Sequence, residues 1–325
     1  MSTADTNLSS SDQPLAQAPR ASGALDRNRM LSTLRVLMQR EFWEHRALWM
    51  APLATSVLLL ACAFPAHIDF PEFSRAGSNA HFRLITWFAA IQWGLTLIQF
   101  LIAGIVLNFY LLDCLYAERK DRSILFWKSL PASDGATVTS KLLVALLIVP
   151  LGVYLLSVVT NLLFSAVWLS RAALGHLPAG VALWDTVAWV KVEVIMLLTL
   201  IVASLWFAPL SAYLLLVSAW ARRSVFLWAT LPPVLAVVLE RVAFGTHHVW
   251  DLLEYRTDGI FTYVDMHRVI EQTIFSAGSA GPIPLGALSL ELARALGNID
   301  LWIGLAVTVA FTYAAARIRR YRDDT

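Results

Sequence analysis

Hydrophobic positions along this chain gather into runs far longer than the apolar stripe of a soluble helix, and short polar or charged stretches separate them. Residues 84–112 carry no charged side chain, and neither do residues 142–170. Roughly 20 apolar residues suffice for a helix to cross the hydrocarbon of a bilayer, and both runs exceed that. Charge-poor windows predict six spans, at about 47–66, 84–112, 142–170, 190–221, 224–244 and 299–316. The runs are continuous, not alternating segments of about ten residues, which points to helices and away from a membrane barrel. Spans two and three, at 1.5 Å rise per residue, reach about 43 Å against a hydrocarbon core of about 30 Å. They are expected to tilt or to project beyond the membrane.

The segments around the spans have patterns of their own. Residues 1–28 are rich in Ser, Ala, Asp and Gln, lack the apolar core of a secretory signal, and are expected to form a disordered cytoplasmic tail. In residues 29–46, Leu31, Leu34, Met38 and Phe42 fall on one helical face and Arg35, Gln39 and Arg40 elsewhere. That pattern fits an amphipathic interfacial helix as well as a plain charged anchor that fixes topology. The six-span domain is expected to occupy 47–320, leaving 321–325 as a C-terminal tail. Between spans five and six, residues 245–298 contain VDMHRVIEQTIF and LGALSLELARAL, which read as short amphipathic helices in an ordered outer cap. The fold class is thus all-α and polytopic.

Composition strengthens this picture. The chain is 58% hydrophobic and only 15% charged, with 13 tryptophans, which excludes both an ordinary soluble domain and disorder. Arginines and lysines at positions 20–46, 119–141, 222–223 and 317–322 make up 17 of the 25 basic residues, and the positive-inside rule places those segments, and both termini, in the cytoplasm. Cys62 and Cys114 fall in or near different spans and suggest neither a disulfide nor a metal pair.

Candidate chemistry is sparse. Gly135 to Lys141 superficially matches a phosphate-binding loop, but the second glycine is missing and the context is helical, so no nucleotide is expected on this chain. His247, His248 and Asp251 match no strong metal spacing, and no metal site is assigned. No hydrolase signature is present, and enzymatic activity is not expected of this chain. Gln92, Gln99, Asn108 and Asn161 lie inside spans two and three, where such groups join helices or line a translocation path. Lys191 with Glu193, and Glu240 with Arg241, sit near the outer ends of spans four and five. There they either pair to tie spans together or border an exit path.

The segment between spans two and three has the most individual sequence. It contains Glu118, Arg119, Asp121, Ser123, Leu125, Phe126, Lys128, Ser129, Leu130, Pro131, Ser133, Thr137, Ser140 and Lys141. In this pattern the chain resembles permease subunits of bacterial ABC exporters of the type-2 class. A weaker likeness is the run Glu240 to Thr246 with His248, and the six-span pattern extends the similarity over about residues 30–320. The resemblance implies a transporter of two membrane protomers with two separate ATP-binding subunits, which would hold ATP and Mg, in a bacterial inner membrane. It further implies a cytoplasmic coupling helix from Glu118 to Lys128, seated in a groove of the ATPase. Glu118, Arg119, Lys120, Asp121, Arg122, Phe126 and Lys128 would make that contact, and Ser129-Leu130-Pro131 would end the helix. Pro131 disfavours helical geometry at Leu130, and Ser133 or Asp134 can cap the helix that follows. A second copy of the chain and membrane lipid are the other expected partners, and nucleic acid is not. The rival expectation is a non-transporting scaffold or sensor driven by an ATPase partner.

Overall fold

The computed structural model describes residues 22–63, 80–121, 133–174, 186–263, 294 and 296–321. Nine α-helices are formed in this part of the chain. They are α1 (Ser22–Glu44), α2 (Ala47–Ala63), α3 (Ala80–Lys120), α4 (Asp134–Leu143), α5 (Val149–Ala173), α6 (Thr186–Trp220), α7 (Val225–Phe244), α8 (His248–Tyr263) and α9 (Ile299–Tyr321). A π-helical turn, Val144–Ile148, joins α4 to α5 in one column immediately ahead of Pro150, whose ring nitrogen has no proton to donate.

Among the described residues, five helices are long and apolar enough to cross a membrane. A sixth arises if α2 is counted with the end of α1, from which it is bent by 56°. The first expected span is therefore the least independent one, since 17 residues of α2 cover only about 26 Å. The expectation that spans two and three overshoot the membrane is met in length. Helix α3 has 41 residues, about 60 Å, and the α4–α5 column runs 38 residues from Asp134 to Arg171. Both continue past their apolar runs into charged ends, because a helix satisfies its own backbone wherever it emerges.

Three expected boundaries change. Helix α1 begins at Ser22, ahead of the expected start at 29. The helix α8 occupies residues that the pattern left without an element, and α3 extends through Lys120. Glu118, Arg119 and Lys120 thus form the last turn of α3 and do not open a separate coupling helix. Arg122, Phe126 and Lys128 lie outside the described residues, as do 264–275 and most of 285–296, where the outer helices are expected.

Helix α6 is the centre of the bundle. It packs most extensively on α9, then on α3, and the α5 column closes the far side against α2 and α3. Small residues, Ala208, Ala212 and Ala219 on α6 and Ala315 on α9, are buried and allow close backbone approach. Helix α7 stands apart, with almost all of its surface uncovered. Its Pro233 lacks an N–H, which leaves the Ala229 carbonyl without its helical donor. The Tyr213 hydroxyl of α6 donates to that carbonyl at 2.9 Å.

The amphipathic α1 turns its apolar stripe toward protein. Leu34 and Leu37 are buried and Met38 packs on the main core, whereas Phe42 and Trp43 are exposed. Phe42 stacks on Trp49 across the bend, with centroids 6.0 Å apart. The expected single face of Leu31, Leu34, Met38 and Phe42 is thus divided, with Leu34 and Met38 turned toward protein and Phe42 exposed. Leu34, Leu37 and Met38 form the inward stripe of α1, and the helix packs on α4.

Candidate functional site: a buried ionic cluster beside the hinge

The position next along that stripe carries a charge. Glu41 is only 1% exposed, and its two oxygens are held by different helices. Lys141 of α4 donates from Nζ to Oε1 at 2.6 Å, and the Tyr110 hydroxyl of α3 donates to Oε2 at 3.0 Å. Lys141, with no exposure at all, also lies 3.1 Å from Glu118 Oε1. Glu118 pairs on its other oxygen with Arg319 of α9, and Arg319 Nε donates to Asp134 Oδ1 at 3.0 Å. Arg40 closes the chain, bonded to Glu44 at 2.7 Å and lying 3.4 Å from Glu118. One cluster of alternating charge therefore joins α1, α3, α4 and α9.

Local sequence explains how each group arrives there. Ser133 is the N-cap of α4 and accepts from the Ala136 N–H at 3.1 Å, as its sequence position leads one to expect. Two turns later Lys141 points back into the bundle, with Ser140 buried beside it. In α3, Tyr110 and Glu118 are eight residues apart and so lie on one face, which is the face that meets α1 and α4. In the break between α1 and α2, His45 lies edge-on to Tyr110 with its Nε2 3.7 Å from Glu41. Burial holds its pKa below the ordinary histidine value, opposed by the charge of Glu41.

The neighbouring Arg119 serves α6. Its Nη2 donates to the carbonyls of Ser218 and Ala221 at 2.6 and 2.8 Å, which closes the C-terminal end of that helix. Ser218 Oγ in turn accepts from the backbone of Leu115 and Tyr116. The residues that the sequence grouped as one contact surface are thus sorted by direction. Glu118 and Arg119 face the bundle, whereas Lys120 and Asp121 are exposed at the start of the segment that joins α3 to α4.

The polar residues of spans two and three face one another. Gln99 Nε2 donates to Ser56 and to Thr160, each at 3.0 Å, and Gln92 donates to Ser165 at 2.7 Å. Asn161 donates to Thr96 at 3.1 Å and to Glu193 at 3.2 Å. Asn108 differs, being exposed and bonded to the Gly104 carbonyl of its own helix. Of the expected outer pairs, Glu240 does not pair with Arg241. It accepts from Thr246 Oγ1 and from the N–H groups of His248 and Val249, which caps α8 just after Gly245 ends α7 at φ +67°. Arg241 meets His247 at 3.2 Å. The Lys191 side chain lies outside what is described.

Glu41, Glu44 and His45 bring one possible ligand atom each within 4.8 Å of one another. Lys141 already occupies Glu41, so a second cation is disfavoured there and no metal is assigned.

Sequence reasoning missed the cluster as a unit, although one signal existed. A glutamate at position 41 interrupts the apolar stripe at its own helical spacing, and a charge on a buried stripe requires a partner. Comparison with known protein families, curated proteins and solved structures gave no match. The conclusion carried by the fold and the site is that this chain is a polytopic, mostly helical membrane-spanning protein.

Proposed function

We propose that this chain is the membrane-spanning permease subunit of an ATP-driven exporter, driven by a separate ATP-binding subunit that docks on the hinge between α3 and α4. One observation carries the reading. The described residues on both sides of the hinge, Glu118 and Arg119 before it and Asp134 and Lys141 after it, are bonded into α1, α6 and α9. A push on the hinge is therefore not absorbed locally and moves several helices together. Nucleotide free energy acts only through a difference in affinity between two arrangements of the bundle, and a rigidly bracketed hinge is what transmits such a difference. ATP and Mg belong to the partner. The chain works beside a second copy in a bacterial inner membrane, with both termini in the cytoplasm.

One observation favours the alternative of a scaffold or sensor without transport. Gln92, Gln99 and Asn161 are buried and engaged in helix–helix bonds. Reconstitution of the chain with and without a candidate ATP-binding subunit separates the readings. Exchanging Lys120 and Asp121 for opposite charges, together with Phe126→Ala and Lys128→Ala, should abolish ATPase association and ATP-dependent flux while leaving thermal stability unchanged. Unaltered association and flux would overturn the proposal, and partner-dependent structural change without flux would favour the scaffold.

A further inference from the structure

Glu193 lies in α6, far from the ionic cluster. Asn161, its partner on α5, is 20 residues from Lys141 in the same helical column, about 30 Å away. Glu193 is 7% exposed, and among the described residues no cation pairs with it. Two neighbours hold it. Asn161 Nδ2 donates to its Oε1 at 3.2 Å, and the Tyr154 hydroxyl of α5 donates to its backbone carbonyl at 3.1 Å. Among the described residues Tyr154 is the titratable group that meets it, since Thr96, reached on α3 through Asn161, is neutral.

A second observation stands beside this acid. Asn161 is 3% exposed, yet among the described residues no donor reaches its Oδ1. An unused buried acceptor is costly and uncommon, and here it belongs to the side chain that touches the carboxyl group. In the arrangement observed, the amide presents its N–H to a carboxylate. Rotation about the Cβ–Cγ bond exchanges the two atoms, so that Oδ1 faces the carboxyl group and accepts from a protonated acid. The same two side chains therefore suit both forms of Glu193.

We propose that Glu193 and Asn161 form a proton-binding site within the bundle, in which the Asn161 amide turns from donor to acceptor as Glu193 gains its proton. The carboxylate takes a proton from hydronium or a protonated buffer, leaving water or the buffer base, and no other bond is made or broken. Because Asn161 also donates to Thr96, each exchange resets the contact between α3, α5 and α6. The site requires no ATPase partner, so its failure leaves the exporter reading untouched.

The test is infrared difference spectroscopy of the full chain in lipid nanodiscs, titrated from mildly alkaline to mildly acidic pH in potassium buffer. A carboxylic-acid C=O band should appear on acidification, shift in heavy water and be absent from Glu193→Gln, and Asn161→Leu should move its midpoint. If Glu193→Gln does not fold, Glu193→Asp should displace the band in frequency. A difference spectrum that neither variant alters would overturn the proposal. So would a Glu193 band that is constant with pH, or a transition that follows sodium and not protons.

Discussion

Lys141 Nζ lies 2.6 Å from Glu41 Oε1 across 100 positions of sequence, and neither side chain is more than 2% exposed. Two charges removed from water to this degree are tolerated only because each is the other's partner, with Glu118 beside Lys141 and Tyr110 beside Glu41 as further partners. The contact fixes the amphipathic helix α1 onto the entrance of the α4–α5 column.

Removing one member of this pair leaves the other buried and uncompensated. Lys141→Met should destabilise the protein by about 3–5 kcal/mol, and combining it with Glu41→Gln should recover part of that loss. Thermal unfolding in detergent of the two single variants and the double variant measures the cycle. Purely additive losses would show that the contact is not a coupled pair.

Arg119 closes α6 through two carbonyls that both accept from its Nη2. Arg119→Ala should lose about 1–3 kcal/mol, with faster amide exchange in the last turn of α6. Exchange confined to other helices would contradict this role. Neutralising the exposed Lys120 should change stability by less than about 0.5 kcal/mol.

Toward the other end of α9, Gly304 makes room for Arg256. A Cβ at this position would overlap the guanidinium at Nη2, which stacks over Trp206 at 4.6 Å and donates to the Asp300 carbonyl at 3.3 Å. Gly304→Ala should push Arg256 off the indole at a cost of about 1–2 kcal/mol and alter the Trp206 fluorescence. Arg256→Met should produce the same optical change with Gly304 intact. If Gly304→Ala is silent in both stability and fluorescence, the contact has no energetic weight.

The polar residues of spans two and three should separate by behaviour. Gln99→Leu removes two interhelical bonds and should cost about 1–2 kcal/mol. Asn108→Leu, on an exposed face, should be neutral or stabilising in detergent. In the reconstituted system, a loss of flux in Asn108→Leu without a loss of stability would mark Asn108 as part of the path.

Much of the fold was legible along the chain. Long uncharged runs at 84–112 and 142–170 could only be spans, and Ser133 could be read as a cap because capping depends on neighbours three residues away. The first span was less legible, since its short apolar run borrows from a bent neighbour. The helix at 248–263 was missed because its mixed polar sequence has no strong period, and it is nucleated instead by Glu240 folding back from α7.

Helix type and the places where charge is allowed follow from the sequence, because lipid forces every backbone group to bond within its own segment and expels unpaired charge from long runs. Which charges face each other does not follow, since it depends on how each helix is rotated and which neighbour it meets. Lys141 and Arg319 look like two more cytoplasmic basic residues in the chain. Only the packing of α1, α3, α4 and α9 around them turns these residues into the buried centre of one cluster.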